Sequence, residues 1–228
     1  MQLAELDPNQ IRSLETSTPG ETIQWAWETF NPNIAASSSF QTQSAPLLHL
    51  LSIHAPKIEV YFIDTGFHFK ETLTYRDRLA KLFNLNLKIA KPELYGKEFL
   101  NKFGELYQTK PESCCSINKI FPLQQILKGK DAWISGIRRD QSPHRKDTPV
   151  ISHNKFLDLE KICPMVHWSN QDVLDYIQRY KLPKHPLLEY GYRSVGCAPC
   201  TAPVGQGDDD RAGRWRGFDK IECGMQII

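Results

Sequence analysis

Residues 58–90 read IEVYFIDTGFHFKETLTYRDRLAKLFNLNLKIA, and the order of patterns within them decides the fold. IEVYFID at 58–64 is a near-continuous apolar run rich in β-formers, as expected of a strand buried on both faces. KETLTYRDRLAKLF at 70–83 places Leu73, Leu79, Leu82 and Phe83 at helical spacing. NLKIA at 86–90 is strand-like again. Strand, helix and strand in succession form the unit from which parallel sheets are built. Upstream, IAA at 34–36 reads as a strand end, SSSFQTQS at 37–44 as a polar loop and APLLHLLSI at 45–53 as a helix. Downstream, PELYGKEFLNKF at 92–103 and a stretch around 115–128 read as helices, and AWISGI at 132–137 as a further strand. The alternation predicts an α/β protein with a doubly wound, mostly parallel sheet and helices on both faces.

The rest of the chain fits around this centre. The first 33 residues form a helical lead-in, with Leu3, Leu6, Ile11, Leu14, Ile23, Trp25, Trp27 and Phe30 as its apolar positions. TSTPG at 16–20 divides it into two short helices. Residues 34–206 are expected to hold the main domain and 207–228 a C-terminal tail. Past about residue 145 the only strong pattern is Ser169-Asn-Gln-Asp172, a capping-box-like start to a helix through VLDYIQRY. Beyond Leu182 apolar periodicity fades, and the tail is expected to be mobile or organised by a cofactor.

Composition narrows the class. In 228 residues, 40% are hydrophobic and 24% charged, which suits a packed globular protein. Lys plus Arg is 28 against 26 Asp plus Glu, a net charge of +2 that argues against broad nucleic-acid binding. No apolar run approaches the roughly 20 residues of a membrane span, and MQLAELDPNQIRSLE, with acids and no basic-then-apolar pattern, is not expected to act as a signal peptide. Six cysteines are too sparse for a disulfide scaffold, so a cytoplasmic protein with reduced, metal-bound or catalytic cysteines is expected.

Three loops at successive strand ends could bind an anion. SSSFQTQS offers hydroxyls and N–H groups before a helix, although it lacks the glycines and lysine of a Walker loop. Asp64-Thr65-Gly66 follows the best strand, where open α/β sheets place ligands. Gly136-Ile-Arg138-Arg139-Asp140 sets two guanidiniums at a strand end, suited to phosphate or sulfate; a solvated turn with Asp140 neutralising one arginine is the competing reading.

The cysteines are the second signal. Cys114-Cys115 is a vicinal pair and Cys197-Ala-Pro-Cys200 a CxxC. Four thiolates can hold zinc or an iron–sulfur cluster. Adjacent side chains crowd a single-ion tetrahedron, which favours a cluster, but a zinc site or a CxxC redox pair stays open. Cys223, in Lys220-Ile-Glu-Cys-Gly, is a poor core residue and a good mobile nucleophile; Arg211, Arg214, Arg216 and Lys220 could stabilise its thiolate and Glu222 opposes them. Cys163 reads as packing, and His153, His167 and His185 as structural or surface residues.

Taken together, SSSFQTQS, FIDTGFHFKET, CCSINK, GIRRDQSPHR, HWSNQDVLDYI, GYRSVGCAPCTAPV, RAGRW and KIECGM resemble the sulfonucleotide reductases of assimilatory sulfate reduction, from about Ile34 to Met225. The resemblance implies an adenine-nucleotide α-hydrolase-like fold and a [4Fe–4S] cluster on Cys114, Cys115, Cys197 and Cys200. It implies a substrate site at Ser37, Ser38, Ser39, Phe40, Asp64, Thr65 and Gly66, with Lys119 between cluster and substrate. Arg138 or Arg139, with Arg211 and Arg214, would face the substrate's anionic end, and Cys223 would be the nucleophile. The activity implied is reduction of adenosine 5′-phosphosulfate to sulfite and AMP through an S-sulfo-cysteine, with thioredoxin or a glutaredoxin-like protein as reductant, in sulfate assimilation and cysteine biosynthesis. The 3′-phosphorylated nucleotide, or dual specificity for both, is the alternative, because SSSFQTQS is similar to the loop of enzymes that use the 3′-phosphorylated form. A homo-oligomer is compatible with the sequence. The chain departs from the family at Ala202, Lys184 and Met225-Gln226. Two other classes compete: ATP-dependent tRNA thiolases of the same fold, which favour a glycine-bearing phosphate loop, and a zinc-stabilised sensor without turnover.

Overall fold

A run of branched and aromatic residues followed by an amphipathic helix returns the chain to the same edge of a sheet, so the strands it separates pair in parallel. The computed structural model describes residues 7–225. Its strands are β1 (Ile34–Ser37), β2 (Glu59–Ile63), β3 (Asn86–Ala90), β4 (Ala132–Ser135), β5 (Ile151–Asn154) and β6 (Leu159–Ile162). They form one sheet in the order β3-β2-β1-β4-β6-β5, parallel throughout except for β5 against β6. The expected α/β class and the four expected strands are present. The β5–β6 hairpin is the addition, in a stretch where the sequence reading placed no strand.

The lead-in is two helices, α1 (Pro8–Leu14) and α2 (Pro19–Phe30). Thr18 caps α2 through a reciprocal bond with Glu21, and Pro19 occupies the first turn, where a missing N–H costs nothing. Leu14, Ile23, Ala26 and Phe30 join the same hydrophobic core as the sheet. Leu3 and Leu6 lie outside the described residues. Helix α3 (Ala45–His54) packs on α2, and α4 (Lys70–Leu82) carries the chain from β2 to β3. Short helices α5 (Lys97–Phe103), α6 (Leu106–Thr109) and α7 (Pro111–Cys115) follow. A π-helical turn, Ser116–Ile120, joins α7 to α8 (Phe121–Leu127). Helix α9 (Asn170–Arg179) starts at Ser169, which bonds Asp172 reciprocally as its S-N-Q-D pattern predicts.

The centre of the sheet is β1 and β4, all of whose residues are buried. Trp133 on β4 is fully buried and donates its indole N–H to Ser37 Oγ at 2.8 Å, tying the two strands beyond their ladder. On the other face of the sheet, Phe40 and Phe62 meet edge to face at 5.7 Å within the main core.

Candidate active site

At β1 the chain turns toward β2 on one side, while β4 lies on the other. The carboxyl ends of such a pair diverge and leave a crevice, where open α/β sheets bind ligands. A cleft of about 450 Å³ opens there. Ser37, Ser38 and Ser39 line one wall, Arg138 and Arg145 another, and Lys119, Arg211, Arg214 and Cys223 the end nearest the cysteines. Cations along one wall and at this end suit an anionic ligand.

The Ser-rich loop spends part of its hydrogen-bonding capacity on itself. Phe40 N–H donates to Ser38 Oγ at 3.2 Å and Gln41 N–H to Ser44 Oγ at 2.9 Å. The serines face the cleft, but the Phe40 side chain does not: with φ +49° it turns into the core, fully buried. Phe40, expected among the substrate-binding residues, is therefore a wedge under the loop, its side chain outside the cleft lining.

The two arginines separate. Arg138 is buried at the cleft wall, donating from Nε to Asp140 at 3.1 Å and from Nη2 to Gln43 Oε1 at 2.8 Å. Arg139 points away, donating to the Thr148 carbonyl at 2.8 Å and lying 3.1 Å from His167 and 3.7 Å from Glu15. Of the expected pair, Arg138 alone lines the cleft.

Asp64, Thr65 and Gly66 also fall outside the cleft lining and border the cysteines instead. Asp64 accepts from Gly66 N–H at 3.0 Å and from the Tyr95 hydroxyl at 3.0 Å. Gly66 has φ +77°, and a Cβ there would press on the Gly96 backbone. Thr65 Oγ1 lies 3.3 Å from Cys197 Sγ, in a hydrogen bond either atom can donate. The turn thus supports the CxxC segment, which is held further by Ala198 N–H donating to the Phe67 carbonyl at 2.7 Å.

Cys114, Cys115 and Cys197 are buried and Cys200 half-buried. Burial, and then the charge of the other three, pushes the Cys114 thiol up to about 12; burial likewise pushes Cys200 up to about 11. The π-helical turn places Asn118 and Lys119 beside this group, and Asn118 donates to the Cys114 carbonyl at 3.0 Å. Burial alone would lower the Lys119 pKa, yet the charge of Cys197, Cys115 and Cys223 holds it above the ordinary lysine value. Among the described residues, no three His, Cys, Asp or Glu side chains converge closely enough to hold one metal ion. Several buried polar atoms around the thiols have no hydrogen-bond partner: Asn118 Oδ1, His68 Nδ1 and Arg214 Nε. His68 Nε2 donates to the Ile63 carbonyl at 3.0 Å, so its buried Nδ1 is left as an acceptor.

Within the expected tail, residues 207–225 lie against the body of the protein through side-chain contacts. Arg214 bridges Ser194 and Val195, stacks over Trp215 at 4.4 Å, and crosses Gly196 so closely that a Cβ there would collide with its guanidinium. Glu222, expected only to oppose the arginines, is buried on Arg145, Arg211 and Ser142. Cys223 follows directly and lines the cleft. Sequence reasoning missed Gln43, His68, Arg145 and Gly196, although each lies within a segment that carries the resemblance: SSSFQTQS, FIDTGFHFKET, GIRRDQSPHR and GYRSVGCAPCTAPV.

Comparison with known proteins meets this geometry. The phosphoadenosine phosphosulfate reductase domain matches residues 33–203. The adenosine 5′-phosphosulfate reductase of Staphylococcus haemolyticus is 40% identical over 94% of this chain and 90% of its own length. That of Halalkalibacterium halodurans is 37% identical over 98% of both chains. A crystal structure of the phosphoadenylyl-sulfate reductase of Candida auris in a phosphate complex superposes with a TM-score of 0.74 and 28% identity, covering 88% of this chain and 98% of that one. The FMN adenylyltransferase of Candida glabrata, at 19% identity and a TM-score of 0.57 over 88% of this chain and 70% of that one, shares the fold alone. With the reductase domain spanning β1 to the CxxC loop and full-length relatives at this identity, the chain belongs to the phosphoadenosine phosphosulfate reductase family.

Proposed function

We propose that the chain reduces adenosine 5′-phosphosulfate to sulfite and AMP, with Cys223 as nucleophile and a protein dithiol of the thioredoxin type as reductant. The observation that carries this is the seating of Cys223 in a cleft walled by Lys119, Arg138, Arg211 and Arg214. The whole-length relatives named adenosine 5′-phosphosulfate reductase support the substrate.

The Cys223 thiolate attacks the sulfate sulfur in line with the bridging oxygen to phosphorus. The S–O bond breaks, AMP leaves with that electron pair, and the new S–S bond leaves an S-sulfonate on Cys223. Lys119 and the arginines stabilise charge gathering on the phosphosulfate oxygens as the bond breaks. One thiol of the reductant then attacks Cys223 Sγ and expels sulfite; its second thiol resolves the mixed disulfide, so the dithiol is oxidised and Cys223 regains its proton.

The four thiols around Lys119 fit a [4Fe–4S] cluster as a donor set: soft, near enough that three of them raise the pKa of Cys114, and bordered by buried polar atoms lacking partners. Cys114, Cys115, Cys197 and Cys200 would hold it, and when bound it would supply structural order and a local electrostatic field, net negative and offset by Lys119, rather than electrons. Lys119 is the residue that would stand between that field and the sulfonyl group. We read residues 34–206 as the nucleotide- and cluster-binding domain, 1–33 as its helical lead-in and 207–228 as the tail that delivers the thiol. Among the described residues no helix is long and apolar enough to cross a membrane, and the reduced thiol chemistry suits the cytoplasm.

The test is sulfite release by anaerobically purified protein with thioredoxin, comparing kcat/KM for adenosine 5′-phosphosulfate and its 3′-phospho form. A clear preference for the first is expected. A preference for the second reassigns the substrate, and sulfite from neither with the iron content intact defeats the reductase reading.

A further inference from the structure

The segment that carries Cys223 has no ladder or helix of its own among the described residues, so side chains must fix its position. Ile221 is 49% exposed, Lys220 lies over the Trp215 ring at 5.4 Å and 3.5 Å from an exposed Glu112, and Met225 packs against the cluster that holds Leu123 and Trp133. Glu222 differs. Its side chain is 3% exposed, and both carboxylate oxygens are engaged. Arg145 donates from Nε to Oε1 at 2.9 Å and from Nη2 to Oε2 at 2.6 Å, a two-point clasp. Ser142 Oγ donates to Oε1 at 2.8 Å, and Arg211 Nη2 lies 3.5 Å from Oε2 while donating to the Ile221 carbonyl at 2.6 Å. Arg145 and Ser142 come from the turn after β4, so the clasp spans the cleft between the sheet and the tail.

We propose that Glu222 is a positioning residue: its carboxylate, clasped by Arg145 and Arg211, sets Cys223 in place for attack on the sulfonucleotide and releases it for discharge to the reductant. The proposal rests on Cys223 being the nucleophile. Asp140, Asp208, Asp209 and Asp210 also border the cleft, but among these carboxylates only Glu222 is buried, where it repels an anionic ligand and cancels part of the positive field at the thiol. Its retention makes sense if its role is to hold the tail. Burial would raise the Glu222 pKa, but the bonds and charge of Arg145 and Arg211, with Ser142, keep it below the usual carboxylate range, so the clasp is ionic at neutral pH. A tether of charge-assisted bonds can open without unpacking the core, and the second half-reaction requires the S-sulfonated sulfur to reach an external protein. The role therefore belongs to the first half-reaction: the Cys223 thiolate forms its S–S bond to the sulfate sulfur, the S–O bond breaks and AMP departs.

The experiment separates the half-reactions in wild type, Glu222→Gln and Glu222→Asp holoenzymes. S-sulfonation of Cys223 is followed in a single turnover at saturating adenosine 5′-phosphosulfate, and discharge of the preformed adduct is followed on adding thioredoxin. Glu222→Gln should slow S-sulfonation by about tenfold to a hundredfold, the scale of a nucleophile displaced by roughly an ångström. AMP affinity and the discharge rate should stay within about threefold of wild type. Glu222→Asp, which keeps the charge on a shorter stem, should fall between the two, and it serves as the test if the glutamine variant does not fold. Wild-type S-sulfonation in both variants overturns the proposal, as does an equal loss in both half-reactions or a loss confined to AMP binding. Absence of any adduct on Cys223 in the wild-type protein would instead overturn the nucleophile assignment beneath it.

Discussion

The nucleotide side of the cleft and the thiol side are built on different forces. Ser37 and Arg138 stand at the ends of β1 and β4, strands buried along their whole length and tied by Trp133. Cys223 stands in a segment without regular structure, held by a carboxylate on two arginines. Packed strands fix a binding surface within tenths of an ångström and do not open without unfolding. Ion pairs at a cleft edge hold a conformation that can be left again. One side is made to bind and the other to move.

The sharpest way to break this comparison is to remove the chemistry from the moving side alone. Cys223→Ser should lower sulfite formation by at least about 10³-fold, because a hydroxyl at neutral pH is a far weaker nucleophile than a thiolate. AMP binding measured by calorimetry should be retained; if it disappears too, the two sides are not separable. The converse change strikes the packed side. Phe40→Ala removes a fully buried ring from beneath the Ser-rich loop and should cost about 3–5 kcal/mol in denaturant unfolding. A cost near zero would mean that the ring is not the wedge described.

Lys119→Ala tests the junction between the two sides. Loss of one cation from the reacting end should reduce turnover by about 10²-fold with AMP affinity little changed, and iron content should match wild type. A drop in iron would make Lys119 a structural partner of the thiols. The smallest effect is expected at Arg139→Ala, whose side chain turns from the cleft to Thr148, His167 and Glu15. Both kcat/KM and stability should shift by less than about 1 kcal/mol. A large kinetic loss there would restore Arg139 to the substrate side.

The packed side is also the side that the sequence discloses. β1, β2, β3 and β4 are short apolar runs between helical patterns, and their order alone brings SSSFQTQS and Arg138 to one sheet edge. β5 and β6 escaped because ISHN and LEKI break the apolar signal: Glu160 and Lys161 are buried, Glu160 accepting from His153 across the hairpin at 2.9 Å. Spacing could not separate Arg138 from Arg139, since adjacent residues past a strand end diverge in whatever direction the following turn dictates. Asp64, Thr65 and Gly66 stand past the end of β2 as their position in the sequence suggests, with Thr65 beside Cys197 and none of the three in the cleft lining, a placement no local pattern reveals. Lys119 emerged through family resemblance, because its setting depends on a π-helical turn that no local pattern announces. Glu222 was legible only as a charge opposing the tail's arginines. Its partner Arg145 lies 77 residues earlier, and pairing at that separation is a property of the folded chain.

The most direct test of the central claim is mass spectrometry of peptides after one anaerobic turnover with adenosine 5′-phosphosulfate and no reductant. The account predicts a sulfonate on the Cys223 peptide alone, AMP released in equal amount, and sulfite appearing only when thioredoxin is added. A sulfonate on any other cysteine, or sulfite released without an adduct on Cys223, would contradict it.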